Sequence, residues 1–489
     1  MDTKSLKPGD LTKRFNRLLA HHQFDAVLRE ASSIAPTHPC YFEAQTWLPL
    51  VHLRQNRLQQ AMDAVDATLQ AYPNSPALLC TKAVIHGFMD QRAASFSFYQ
   101  QARAALETSW REKRITEADY ERQRARIEFN MALHRLGLMQ FEAFEGYEHR
   151  FEAHDNLKRA AYGETDLPPQ FMDYPWWRGE DLRGKRLVVW SEQGLGDNLF
   201  GARFLPLVKR ATGAASVRFS CRPPLVRLMQ GLEVDVVSDH ELLDPASYDY
   251  HVPLMSLPLR LGLTRDTIPV KTPYLHARPA DVKAWREQLR MVPGLKVGLV
   301  WAGNPHLTYD KLRSVSLEQL APLAKIPGVS FISLQMGARD LNAHGFHLLD
   351  AISACKDFAD TAALVSQLDL VIGVDTSTIH VAGAMGVPVW MLNRIGCDWR
   401  WGFEGEDCFW YPTLRQYRQE RAASYAEPIA RIEAALRAHP QRREHGGLQD
   451  LDEAAWLALR DDFMLRLQRM QTAPKKSFFA RWFSNDDPF

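Results

Sequence analysis

The sequence predicts an α + α/β protein, a helical repeat region followed by two α/β halves built on parallel sheets. Three observations predict it. The first 150 residues hold almost no strand pattern, yet a phrase within them recurs every 34 to 35 residues. From Arg186 onward the periodicity changes, and short β-branched runs alternate with helical stretches. Several of those runs stop at glycine, aspartate or hydroxyl residues that open the next helix, as in "RLVVWSEQGLGD" and "LVIGVDTSTIH".

The recurring phrase is a polar turn, an aromatic or aliphatic residue, then small residues at helical spacing. It occurs at "HHQFDAVLREASSIAPTHP", "RQNRLQQAMDAVDATLQAYPNSP" and "MDQRAASFSFYQQARAAL", with His22, Asn56 and Gln91 as equivalent turn positions. That period is the one of tetratricopeptide units, whose helix pairs bury their apolar faces by stacking on their neighbours. Pro36 and Pro73 stop the second helices of their units. A fourth unit follows a charged insertion, at Asn130 to Glu152. The expected solenoid, residues 1–152, either caps the next domain or offers a concave surface to a protein or peptide partner.

A Pro-, Trp- and Gly-rich stretch at 153–185 reads as a linker packed on a domain. The first α/β half, 186–285, carries strand candidates at "RLVVW", "SVRFS", "VDVV" and "YDYHV". The second half, 286–425, carries "KVGLVWAGNP", "VSFISLQMG", "LDLVIGV" and "VPVWML", and helices and a tail occupy 426–489. Two such halves place ligands at the carboxyl ends of their strands.

Length and composition bound the function. At roughly 150 residues per domain, 489 residues suggest about three domains. The formal net charge of +1 supplies no broad basic field for nucleic acid. The N-terminus lacks the apolar region of a signal peptide, and no stretch approaches the roughly 18 apolar residues that span a bilayer, so the expected location is cytoplasmic. Six scattered cysteines form no C-x-x-C pair, which predicts reduced, buried thiols and no structural zinc.

Three loops at strand ends carry the chemistry. In "SEQGLGDNLFGA" Gly194 and Gly196 suit a tight turn, but Leu199 stands where a dinucleotide fingerprint needs its third glycine, and no Gly-Lys-Ser/Thr follows. What the loop presents is Asp197, in or beside the first helical turn, where it also reads as a helix cap. In "GVDTSTIHVAGAMG" the residues Asp375, Thr376, Ser377 and Thr378 precede a helix with small residues, an anion site suited to a diphosphate or an ordinary N-cap. "WAGNPHLTYDKLRS" ends a strand with Trp301 and Asn304, then offers the cations Lys311 and Arg313.

At this point the residues resemble a family. "EQGLGD", "GLVWAGNP", "RSVSL", "SLQMG", "DFADTAALV", "LDLVIGVDTSTIHVAGAMGVPVW", "DWRW" and "FWYPTLRQYRQ" together look like the glycosyltransferase domain found behind tetratricopeptide repeats in bacteria. That domain is similar to the ADP-heptose:lipopolysaccharide heptosyltransferases and, more distantly, to O-linked N-acetylglucosamine transferases. The resemblance covers about residues 170 to 425 and implies the GT-B fold, with a nucleotide sugar held mainly by the second half. It implies inverting, metal-independent transfer with no cofactor besides the nucleotide-diphosphate sugar. It puts Asp197 in the place of the catalytic base, on the acceptor loop with Gly194 and Gly196. Thr376, Ser377 and Thr378 fall at the donor diphosphate, with Asp375 and His380 close to the sugar; the family pattern has glycine where Ser377 stands. Lys311, Arg313 and Gln335 match more loosely. The helix "AEPIARIEAALRAH" is expected to cross back to the first half, as GT-B chains often do.

The chemistry agrees. Breaking a sugar C1 to phosphate bond through an oxocarbenium-like state needs the departing diphosphate neutralised and the incoming hydroxyl deprotonated from the opposite face. A helix N-terminus with Lys311 and Arg313 suits the first task and Asp197 the second. Trp176, Trp177, Trp399, Trp401 and Trp410 read as packing residues, and Trp301 alone sits at a strand end near the donor. The tail Lys475 to Phe483 is basic and aromatic, suited to weak contact with a membrane surface or a partner, or to an untethered terminus. The expected function is sugar transfer to a hydroxyl acceptor, with a protein acceptor or partner on the repeats. Its alternatives are a lipopolysaccharide or other glycan transferase whose repeats bind an assembly partner, and a non-catalytic scaffold with a degenerate transferase domain.

Overall fold

A computed structural model describes residues 9–153, 175–241, 243–305, 310–338, 341–421 and 424–470. The rest of the 153–185 linker and the whole Lys475 to Phe483 tail lie outside the described residues. The chain divides into a helical unit, Met1–Asp155 with Ile395–Trp399, and a larger α/β unit, Asn156–Arg394 with Arg400–Phe489.

In the helical unit, α1 (Asp10–Ala20) and α2 (Phe24–Ser33), α3 (Tyr41–Arg54) and α4 (Leu58–Ala71), and α5 (Pro76–Phe88) and α6 (Arg92–Arg111) form three hairpins. Each turns on a left-handed residue: His22, Asn56 and Asp90 have φ of 54°, 60° and 61°. The next N–H closes the turn onto the carbonyl five residues back, Gln23 to Leu18 (2.9 Å), Arg57 to His52 (2.8 Å) and Gln91 to His86 (2.9 Å). This is the Schellman closure of a helix end, made here without glycine. The equivalent third position is therefore Asp90, one residue before the expected Gln91, and the spacing is 34 residues both times. The expected charged insertion is not a separate loop: it lengthens α6 to 20 residues and α7 (Glu117–Gly137) to 21, which meet at the left-handed Lys113. A turn at Met139 (φ 59°) then leads into short helical segments at 141–153.

Fully buried alanines let the helices approach closely. Ala31 and Ala44 lie in one core cluster with Leu11, Phe15 and Val51, and Ala83 and Ala102 lie in a second with Leu106 and Ile127. Trp399 belongs to this unit, its indole edge-on to Phe144 (5.9 Å) and tilted toward Tyr147 (6.0 Å).

The α/β unit holds two sheets, all of whose strands pair in parallel. The first has the order β3 (Asp235–Ser238), β2 (Ser216–Cys221), β1 (Arg186–Trp190), β4 (Tyr250–Pro253). The second has the order β10 (Leu414–Arg418), β9 (Val389–Asn393), β8 (Leu370–Val374), β5 (Leu295–Val300), β6 (Val329–Ser333), β7 (Leu348–Asp350). Central strands β6 and β8 are buried at every residue, and β8 accordingly reads as an unbroken apolar run, while β6 also buries Ser330 and Ser333. The two strands that escape the sequence reading, β7 and β10, are the edges of the second sheet: one has three residues and the other alternates as "LRQYR". Helices α8 (Leu195–Gly201), α9 (Leu205–Thr212) and α10 (Pro223–Met229) belong to the first half. The described end of the linker runs along β4, where the Trp177 N–H donates to the His251 carbonyl (2.8 Å).

In the second half, α11 (Pro279–Leu289) precedes β5, α12 (Phe358–Val365) precedes β8, and α13 (Ser377–Ala384) follows it. Helix α14 (Ala426–Arg437), expected to cross back to the first half, instead buries Ile429, Ile432 and Leu436 in the second-half core. Its apolar stripe finds its partners beside β9 and β10, so no driving force carries it across. Helix α15 (Glu453–Met470) packs on α11 and β7, and Arg466 Nη1 donates to the Gln288 carbonyl (2.9 Å). All six cysteines are free and buried. No helix among the described residues is long and apolar enough to cross a membrane.

The left-handed turns generate a prediction. Asn56→Ile, which forces a β-branched side chain into that conformation, should cost about 1–2 kcal/mol, whereas Asn56→Gly should be neutral or stabilising. Urea titration followed by far-ultraviolet circular dichroism checks it; equal midpoints for the two variants would show that the turn bears no strain.

Candidate functional site

The loop after β1 is built from its own backbone outward. Neither glycine makes the turn; Gln193 does, at φ 60°. Fully buried Asn198 locks it by donating from Nδ2 to the carbonyls of Glu192 (3.1 Å) and Gly194 (2.8 Å). Gly196 serves a different need, close approach. A Cβ there would lie 2.8 Å from His380 Cδ2, so the first turn of α8 sits directly on the His380 ring of α13.

Asp197 is held on both oxygens. Oδ2 accepts from the Gly194 N–H (2.8 Å), so the residue does cap its own helix. Oδ1 pairs with Arg400 Nη2 at 2.5 Å, and the guanidinium is 5% exposed against 23% for the carboxylate. Arg400 comes from the loop after β9 and reaches across to the first half. Its Nη2 also lies 3.5 Å from Gln193 Oε1, and its Cζ stands 5.2 Å over the Phe200 ring. The next residue, Trp401, stacks on His380 at 4.8 Å. His380 Nδ1 shares a hydrogen bond with the Tyr411 hydroxyl (2.8 Å). Burial pushes the Tyr411 hydroxyl well above the ordinary tyrosine range, so it stays protonated.

The β8 to α13 loop places Thr376 at the N-cap, but its side chain makes no cap hydrogen bond, and Oγ1 is buried without a partner. The first intrahelical bond is from the Ile379 N–H to the Thr376 carbonyl (3.1 Å), so the amides of Ser377 and Thr378 lie at the unpaired helix end. Asp375 and Ser377 are half-buried, and Thr378 is buried. Thr376 thus departs from the N-cap alternative: it has the place and the backbone of a cap without the bond.

Three expected donor residues are committed to the protein itself. Arg313 Nε binds buried Asp310 (2.9 Å) and its Nη1 donates to the Asp375 carbonyl (2.8 Å), tying the 310–313 turn to the β8 to α13 loop. Gln335 Oε1 accepts from the N–H groups of Trp301 (3.0 Å) and Ala302 (2.8 Å), bracing the end of β5. Trp301, expected near the donor, is 8% exposed and lies in the second-half core cluster with Val315 and Leu317. Lys311 is exposed and Asn304 half-buried, beside residues 306–309, which lie outside the description. Trp177, Trp399, Trp401 and Trp410 are all buried.

Sequence reasoning missed Arg400, Tyr411, Arg203 and the polar ends of the first sheet. An arginine between two tryptophans in "DWRW" is the available signal, since an arginine enters such surroundings only with partners. At the first sheet's carboxyl edge, buried Glu192 accepts from the Met255 N–H (2.8 Å), and Ser191 Oγ donates to Asp239 Oδ2 (3.4 Å). Burial raises the Asp239 carboxyl above its usual range, against the pull of Arg222. Among the described residues no group of three His, Cys, Asp or Glu side chains is placed to hold a metal ion.

No family model matches the chain. It is 28% identical over 435 residues to Protein FlbA of Caulobacter vibrioides, an alignment covering 78% of this chain and 70% of FlbA. Among solved structures it aligns with a glycosyl transferase family 9 protein of Veillonella parvula at 11% identity, covering 59% of this chain and 99% of that one (TM-score 0.37). It aligns with the ADP-heptose lps heptosyltransferase II of E. coli at 13% identity, covering 52% of this chain and 98% of that one (TM-score 0.38). With the O-GlcNAc transferase of Thermobaculum terrenum the identity is also 13%, over 92% of this chain and 97% of that one (TM-score 0.26).

Asp239 supplies a pH prediction. A carboxyl whose folded pKa is raised stabilises fully below its unfolded pKa and loses that contribution as pH rises through the folded value. The stability of Asp239→Asn relative to wild type should therefore increase from about pH 4 toward neutrality. Denaturant midpoints measured across that range check it; a pH-independent difference would contradict it.

Proposed function

We propose that this protein is a glycosyltransferase that moves a sugar from a nucleotide-diphosphate donor to a hydroxyl acceptor, with inversion and without a metal. The observation that carries this reading is the Thr376 hydroxyl, buried without a partner at the start of α13, while the same helix lies against the loop of Asp197 through Gly196 and His380. An anion-ready helix end from one parallel sheet and a carboxylate from the other thus converge at their carboxyl edges. This is where an open α/β fold takes its ligands.

The donor diphosphate lies at the α13 N-terminus, where the amides of Ser377 and Thr378 and the hydroxyls of Thr376, Ser377 and Thr378 replace a metal in receiving its charge. Lys311 adds a cation. Arg313 and Gln335 act one step back, bracing the loops that hold the ligand. His380, its Nδ1 hydrogen-bonded with the Tyr411 hydroxyl (2.8 Å), and Asp375 lie close to the sugar. Asp197 takes the proton of the acceptor hydroxyl as that oxygen bonds to C1. The C1–O bond to the diphosphate breaks, and its electron pair leaves with the phosphate. The helical unit, whose hairpin turns recur at the 34-residue spacing expected of tetratricopeptide units, supports a protein acceptor or partner. The product is a glycosylated side-chain hydroxyl.

One observation favours the rival reading of a non-catalytic binding module, namely that both Asp197 oxygens are already engaged. Thermal stabilisation by a panel of ADP, GDP, UDP and dTDP identifies the donor base, because a ligand that binds only the folded state raises stability by mass action. Asp197→Asn should then abolish transfer from the matching nucleotide sugar while keeping nucleoside diphosphate affinity within a few-fold of wild type. Undiminished transfer removes Asp197 as the base, and lost affinity moves it to the donor site. Transfer should also survive excess EDTA; a strict, reversible requirement for magnesium or manganese would contradict metal independence and reopen Asp310 and Asp375 as ligands.

A further inference from the structure

We propose that Arg400 is a positioning residue for the transfer, aligning the Asp197 carboxylate across the cleft for the acceptor hydroxyl. This rests on the glycosyltransferase reading, in which Asp197 is the base. The guanidinium is supplied by the second half and reaches residues of the first, Asp197 Oδ1 at 2.5 Å, Gln193 Oε1 at 3.5 Å and the Phe200 ring at 5.2 Å. Those three residues lie at the turn, the first helical turn and the inner face of α8. A planar guanidinium whose face packs on Phe200 and whose Nη2 serves both oxygens sets where the carboxylate sits as well as its charge environment.

Two consequences follow from the chemistry. A carboxylate beside a buried cation stays ionised to lower pH than one standing alone. Removal of the cation is therefore expected to show in the pH dependence of transfer. The fork also leaves Asp197 little freedom, since its second oxygen is already taken by the Gly194 N–H at 2.8 Å. Rotation of the carboxylate is limited from both sides, which is how a base comes to be held in the geometry the reaction needs. Trp401, the next residue, stacks on His380. One dipeptide thereby sets the acceptor-side carboxylate and the donor-side imidazole together.

The test uses the full-length protein and the nucleotide sugar whose diphosphate stabilises it most in the panel, with diphosphate release as the assay. Arg400→Met keeps the bulk and removes the charge. It should lower kcat about tenfold with little change in donor KM, and move the acidic limb of kcat/KM to higher pH by about one unit. Arg400→Lys restores a point charge without the fork, so it should return the limb toward its wild-type position while kcat stays low. A purely structural role would lower kcat in both variants and leave the limb where it was. Nucleoside diphosphate affinity reports folding. If Arg400→Met fails to bind, Arg400→Lys alone decides, and wild-type kcat in it overturns the proposal. A folded Arg400→Met with an unshifted limb also overturns it. Full release by Asp197→Asn sinks the base reading itself, and no release by wild type sinks both.

Discussion

The larger unit depends on how one guanidinium is buried. Arg203 is fully surrounded and donates to the carbonyls of Phe200 (3.0 Å), Trp410 (2.9 Å) and Pro269 (3.3 Å) and to the Tyr274 hydroxyl (3.1 Å). Its Cζ stands within 4.7 to 5.3 Å of the rings of Phe200, Tyr274, Trp410 and Tyr411. Those partners come from the first half, the segment that joins the halves, and the second half. Taking such a charge out of water costs several kcal/mol, and the cost is offset only while all of them stay in place. The two sheets are therefore held in one relation by a cation whose alternatives are unfavourable.

The candidate site inherits that relation. Phe200 and Leu199 belong to α8, whose first turn carries Asp197, and the Tyr274 hydroxyl donates to the Leu199 carbonyl at 3.0 Å. Tyr411 lies over Arg203 and hydrogen-bonds His380, so the same cluster that joins the halves also orients the imidazole. Gly196 completes the approach, because any side chain there would push α8 off the ring. Around this centre most polar groups hold one another: Asp310 with Arg313, Gln335 with two backbone amides, Asp197 with Arg400. The Thr376 hydroxyl, at the start of α13, is among the buried oxygens without a hydrogen-bond partner, as Asn198 Oδ1 is in the facing loop.

Residues with one dominant structural cause were legible in the chain itself. The buried runs of β1, β5, β6 and β8 read as strands because both faces of a parallel sheet are covered, so apolar residues dominate them, with polar Arg186, Lys296, Ser330 and Ser333 as the exceptions. β7 and β10 did not, because edge strands keep polar residues on the open side and offer too little periodicity. The helical spacing was visible, but its turn was misplaced by one residue at Asp90, since the left-handed position carries His, Asn and Asp where glycine is the usual marker. The loops of the candidate site were legible as places. The partners of their side chains were not: Trp301 packs in a core cluster, and Gln335 accepts from the Trp301 and Ala302 amides.

Local signals in the chain were enough to show that "EQGLGD" and "VDTSTIH" follow strands and open helices, because such signals act over a few neighbouring residues. The tertiary structure alone decided which distant groups meet. Asp197 and Arg400 are separated by some two hundred residues, Gly196 and His380 by nearly as many, and no local periodicity encodes either pair. A carboxylate's chemistry is set by the charge and dielectric within a few ångströms of it, and that neighbourhood exists only once the two sheets have packed.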